Sequence, residues 1–144
     1  MALPGEIFRH GAFYLDEQNR WQPKYLVVLA RSPSDDVIFR LLTSRQRDRP
    51  RNPPCFHGDP LPSYYLGTIG GSLESDTWVD LRSSDDYDER DFRAHTHEGV
   101  LLRVTTLSHS VLRPLLECAA QAPDTTLFQS RAIRDQLASL PARN

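Results

Sequence analysis

The stretch KYLVVLARSPSDDVIFRLLTSRQRDRPR, residues 24–51, holds two apolar runs, one turn and one cationic tail. YLVVLA (25–30) and VIFRLL (37–42) are short and rich in β-branched and aliphatic side chains, which suits strands. SPSDD (32–36) supplies turn chemistry through Pro33 and the short polar side chains around it. The pattern predicts an antiparallel hairpin that runs directly into a loop. Its second strand ends at Thr43 and Ser44, and Arg45, Arg47, Arg49 and Arg51 follow at alternate positions. Hydroxyls at a strand exit beside clustered guanidinium groups make a ready phosphate site, because arginine meets phosphate oxygens with paired donors and loops carry function.

Before the hairpin, GEIFRHGAFYL (5–15) reads as a first strand with a bulge expected at Gly11, so that three consecutive strands form an antiparallel meander. After it, five prolines between Arg45 and Ser63 predict a long excursion without regular structure. Strands are expected again at Tyr64–Leu66, Trp78–Leu81 and Gly99–Thr106, with one or two helical turns starting in SDDYDERDF (84–92). Residues 107–122 then turn helical, with Pro114 required in the first turn if no kink is to follow. A final helix is expected from Asp124 as N-cap, presenting Phe128, Ala132, Ile133, Gln136, Leu137 and Leu140, and Pro141 to Asn144 are expected to fray. The expectation is a single mainly β domain with C-terminal helices (α+β): strands within 5–106, helices within 108–140, and a long Arg/Pro-rich loop between.

At 144 residues the chain is long enough to close a core without metal or disulfide support. A net charge of -2 argues against blanket affinity for nucleic acid, so a polyanion site must be local. Residues 45–51 carry four arginines against Asp48, whereas 74–91 carry eight carboxylates against Arg82 and Arg90, which predicts a basic pole and an acidic one. The start MALPGEIFRH lacks a cationic segment followed by an apolar run, and no stretch approaches the roughly 20 apolar residues of a membrane span. The reading is cytoplasmic, with Cys55 and Cys118 as two free thiols and Cys118 on an apolar helix face. Lys24 is the single lysine beside sixteen arginines.

GEIF (5–8), PKYLVVL (23–29), FRLLTS (39–44), WVDLRSSDDYDERDF (78–92) and VTTLSHSVLRPLL (104–116) occur in an order that resembles the MazF/PemK-type toxins of bacterial toxin–antitoxin systems. The resemblance spans Gly5 to about Ala122, and the helix from Asp124 is an addition. It implies an SH3-like open β-barrel and a metal-independent endoribonuclease, without a cofactor, that cleaves single-stranded RNA as a homodimer and is neutralised by an antitoxin protein. The family's opening Asp is Glu6 here, and the Arg-Pro of its second strand is Lys24-Tyr25. Carried over position for position, the catalytic residues are Lys24 and Thr43, with Ser44 beside them. The chemistry has its own logic: attack by a ribose 2′-hydroxyl concentrates negative charge on phosphate oxygens, so a fixed cation and hydroxyl donors there lower the barrier.

Arg45, Arg47, Arg49 and Arg51 are the expected RNA clamp; Tyr64, with Tyr65 and Phe56, could stack on bases; and His57 or His10 could move a proton near neutral pH. Each has a plainer reading: Lys24 a solvated strand start, Thr43 and Ser44 partners of the turn backbone, the tyrosines core, the histidines surface. Cys55-Phe56-His57 and His95-Thr96-His97-Glu98 have metal-ligand residue types but no second partner pair at zinc spacing, so no metal is expected. The rival from another class is a non-catalytic module on the same barrel that binds nucleic acid or an acidic peptide, with Lys24 as the mark of lost cleavage.

Overall fold

Leu26 to Ala30 are all buried, and the alternation along them explains the architecture. Val27 and Leu29 face one layer with Ile7, Ile38 and Leu42; Leu26 and Val28 face the other with Phe8 and Phe39. A strand covered on both faces reads as one continuous apolar run, as YLVVLA does. The structure is a computed structural model that describes residues 2–71 and 73–141. Its elements are β1 (Glu6–Leu15), β2 (Trp21–Arg31), β3 (Val37–Thr43), β4 (Cys55–Phe56), β5 (Ser63–Gly67), β6 (Thr77–Asp80), α1 (Glu89–His97), β7 (Leu101–Thr106), α2 (His109–Gln121) and α3 (Leu127–Ser139). The strands form one antiparallel sheet in the order β4-β5-β6-β3-β2-β1-β7, with β4 and β7 as edges, so the sheet is open.

The three-strand meander is as expected, and the β1–β2 register shifts between His10 and Tyr14, around Gly11. Helices α2 and α3 cover one face through Leu112, Leu115, Leu116, Ala119 and Ile133, and α1 covers the other through Phe92. Burying each of these leucine, isoleucine and phenylalanine side chains contributes roughly 1.5–3 kcal/mol. Among the described residues no helix is long and apolar enough to cross a membrane.

Several expectations are corrected. The helical start at residues 84–92 becomes the nine-residue α1, about two and a half turns, capped by Asp88, whose side chain accepts from the Asp91 N–H, so one helix precedes the last strand. The proline-rich excursion contains β4, which pairs with β5. That pairing places Cys55 against α2, with its Cα 5.7 Å from that of Cys118, and the two form a disulfide rather than free thiols. Pro114 lies at the sixth residue of α2, past the first turn, and costs the exposed Ser110 carbonyl its helical donor. The cap of α3 is Thr126, not Asp124: Thr126 and Gln129 bond reciprocally in a capping box, while the Asp124 carboxylate accepts from Ser83 N–H and Phe128 stays exposed. Of the fraying expected from Pro141 to Asn144, residues 142–144 lie outside the described residues.

Arg40 is a buried cation in the layer under α3. Its guanidinium donates to the Phe39 carbonyl and to Gln129 Oε1, and Gln129 in turn donates to Ser84 O and Asp86 Oδ1. Gln129→Leu keeps the volume and removes the bonds to Arg40, Ser84 and Asp86, leaving Arg40 its bond to the Phe39 carbonyl. It is expected to cost about 2 kcal/mol in urea unfolding with an unchanged m-value, because the charged Arg40 loses its bond to Gln129 and stays buried.

Candidate functional site

Lys24 and Thr43 come together because β2 and β3 pair in register. Leu26 opposes Leu41, and one further step of the pleat along each strand brings Lys24 and Thr43 to the same end of the ladder. Both side chains wall two adjoining depressions. The larger, of about 820 Å³, is also lined by Phe13, Tyr14, Tyr25, Ser44 and Arg45. The smaller, of about 530 Å³, adds Arg47, Arg49, Arg82, Asp48 and Asp80. Five cationic side chains face two carboxylates in the smaller depression, so its field is positive although the whole chain is acidic.

The loop that carries the arginines is tied down. Arg45 N–H donates to Thr43 Oγ1, which fixes the hydroxyl oxygen and leaves its proton free to point elsewhere. Arg47 makes the turn with φ 48°, and the Arg49 N–H closes it on the Gln46 carbonyl. The Arg49 side chain is only 4% exposed; it donates to Arg45 O, lies 3.8 Å from Asp80, and its buried Nε has no partner among the described residues. Trp78 Nε1 donates to Pro50 O at the end of the turn.

Asp80 is the hub of this charge cluster. Arg82 grips it through Nε and Nη2, and the Arg82 N–H adds a further bond. Burial alone would push its carboxyl up, but the bonds from Arg82 and the charges of Arg82 and Arg49 hold it below the usual carboxylate range. Lys24 is held below the ordinary lysine value, first by desolvation and then by the charges of Arg45, Arg49 and Arg82, with Asp80 opposing the shift. A partly desolvated ammonium among guanidinium groups gains strongly from an incoming anion.

The structure brings together Lys24, Thr43, Ser44, Arg45, Arg47 and Arg49, and leaves the other sequence candidates outside. Arg51 turns away to pair with Asp76 and lies over the Trp78 ring. Tyr64 is 7% exposed and belongs to the core, and Tyr65 donates to Asp76. His57 sits beside the disulfide. His10 is the ladder partner of Lys24, but its ring packs against Phe13, Tyr87 and His95, and it lines neither depression. The separate basic and acidic poles are also corrected, since Asp76 and Asp80 of the acidic run pair with Arg51, Arg49 and Arg82.

Arg82, Asp80, Phe13 and Tyr14 are the residues that the sequence reading missed. The signal for the first two was the alternation Asp80-Leu81-Arg82, which puts both polar residues on the side opposite a core leucine. No family model, curated protein or solved structure matches this chain.

Proposed function

We propose that the cleft at Lys24 and Thr43 binds single-stranded RNA along its phosphates and cleaves it without metal or cofactor, as a MazF/PemK-like endoribonuclease toxin on an SH3-like open barrel. The observation that carries this reading is a half-buried ammonium and a hydroxyl with a free proton at the same end of two paired strands, inside a ring of four further cations. In the reaction the ribose 2′-hydroxyl gives its proton to solvent as its oxygen attacks the adjacent phosphorus, and the bond to the 5′-oxygen breaks. Products are a 2′,3′-cyclic phosphate and a 5′-hydroxyl, the latter formed when the leaving oxygen takes a proton. Lys24 and the Thr43 hydroxyl stabilise the non-bridging oxygens as charge builds on them. Ser44 and Arg45 are further donors, and Arg47, Arg49 and Arg82 hold neighbouring phosphates.

Phe13 and Tyr14 offer stacking surfaces for the bases beside those phosphates, which suits a single strand. Leu15 and Trp21 are exposed at the tip of the β1–β2 hairpin and are the surface assigned to the homodimer; a neutralising antitoxin and a cytoplasmic setting complete the reading. Lysine in place of arginine lacks the bidentate fork, which keeps the binding module without cleavage as the second reading.

The test is incubation of the purified protein with a long single-stranded RNA in EDTA, reading products and their ends. Discrete fragments ending in 2′,3′-cyclic phosphate are the expected result. Intact RNA that shifts on a gel with salt-sensitive affinity would replace the nuclease by the binding module, and RNA neither cut nor bound would remove both.

The cationic form of Lys24 is the working one, so cleavage is expected to fall on the alkaline side at a pH below its ordinary value of 10.5. Lys24→Arg keeps its charge to higher pH and should carry that alkaline limb upward. A rate–pH profile of the two proteins checks this, and coincident limbs would mean that another group titrates.

A further inference from the structure

Cys55, His57 and Cys118 stand away from the cleft, where β4 meets α2. His57 Nε2 lies 3.4 Å from Cys55 Sγ and 3.5 Å from Cys118 Sγ, and it donates to the Cys118 carbonyl at 3.0 Å. A tetrahedral zinc ion with Zn–S near 2.3 Å and Zn–N near 2.0–2.1 Å needs N···S edges of about 3.6 Å. Both edges are therefore already close to coordination length. We propose that Cys55, His57 and Cys118 form a redox-gated zinc site, closed as a disulfide when oxidised and a Cys2His centre with one open position when reduced.

The three ligand atoms are the one such His/Cys/Asp/Glu group found among the described residues. A disulfide by itself does not call for an imidazole nitrogen against both of its sulfurs, since they are weak acceptors and that nitrogen already has the Cys118 carbonyl. The same placement is what a metal shared by two thiolates and an imidazole requires. Cys118 is buried on α2, whereas Cys55 and His57 are half-buried, so solvent and ions reach the group from the β4 side. At Gly58 the chain passes close to the Phe56 ring, which would have to move for any Cβ there. In sequence, Cys55-Phe56-His57 lacks a partner at zinc spacing; the fold supplies the third ligand 61 residues beyond His57.

The chemistry balances with a dithiol as reductant. Two electrons and two protons from it convert the disulfide into two thiols, and the dithiol becomes a disulfide. Zinc then displaces both thiol protons, and the His57 proton moves from Nε2 to Nδ1 so that Nε2 can coordinate. Two thiolates neutralise the dication, which suits a half-buried position, and solvent takes the fourth place.

The probe is cobalt(II), with zinc as competitor, added to the full chain either oxidised or reduced by a phosphine. The reduced protein is expected to bind one equivalent with thiolate-to-cobalt charge-transfer and tetrahedral visible bands that zinc abolishes, and the oxidised protein to bind none. His57→Ala should still form the disulfide yet bind at least about 10-fold more weakly, because even groups that only orient metal ligands are worth 10–100-fold. A reduced protein with native circular dichroism and no such bands would overturn the proposal, as would equal affinity in His57→Ala. If reduction unfolds the chain, zinc must restore the fold; failure to do so also overturns it.

Discussion

Lys24→Ala is expected to lower the rate of RNA cleavage by at least about 100-fold, the scale seen when one preorganised donor to a developing oxyanion is removed. The side chain is half-buried within β2, outside both apolar layers, so the melting temperature should move little. A loss of activity without a loss of stability is what distinguishes a group that acts on the substrate from one that holds the fold. Thr43→Ala should fall similarly and Thr43→Ser retain activity, because what matters is the free hydroxyl proton left by the bond from Arg45 N–H. Full cleavage by Lys24→Ala protein would remove Lys24 from the chemistry and leave the arginines as a binding surface only. RNA binding measured alongside separates the two roles: the alanine variant should bind with a shallower salt dependence, having lost one phosphate contact.

Asp80→Ala is expected to destabilise the fold by about 3 kcal/mol, a drop in melting temperature of roughly 10 °C for a chain of this size. Asp80 is 12% exposed and Arg49 4%, so removing the carboxylate strands a buried guanidinium among other cations. Arg49 keeps only its bond to the Arg45 carbonyl, which places the cost at the lower end for a broken buried pair. Asp80→Asn preserves shape and should cost less while tightening RNA binding, since the cleft then gains net positive charge. The sign with pH follows from the carboxyl lying below its ordinary range. Its contribution is fully present above the ordinary carboxylate value and is lost as pH falls through the lowered one. Wild type should therefore lose stability on acidification in that window, and Asp80→Ala should lose less; parallel acid titrations would show that Asp80 is not the linked group.

The two variants divide the cluster by what each charge does. Lys24 spends its burial on readiness for an anion, whereas Asp80 lets five cations sit close together before one arrives. On the proposed function, charges that repel one another in the free protein and are relieved by phosphate are expected to bind RNA more steeply with falling salt than the net charge of the chain suggests.

What the sequence determined by itself was whatever depends on neighbours along the chain. The period-2 and continuous apolar runs set β1, β2 and β3, the turn residues 32–36 joined two of them, and the helical spacing of Leu112, Leu115, Leu116 and Ala119 marked α2. The position of Lys24 opposite the hydroxyls at the end of β3 also follows from hairpin register, which is local information. The tertiary structure alone decided which distant groups meet. Arg51, His57 and Tyr64 lie near the arginine loop in sequence and outside the cleft in space, because β4 pairs with β5 and Trp78 and Asp76 hold the loop end against β6. Arg82 and Asp80 join the cleft because β6 pairs with β3 across the excursion. Cys118 reaches Cys55 and His57 because α2 packs on β4 and β5. In each case the deciding term is burial between segments dozens of residues apart, and no propensity or spacing within one segment encodes it.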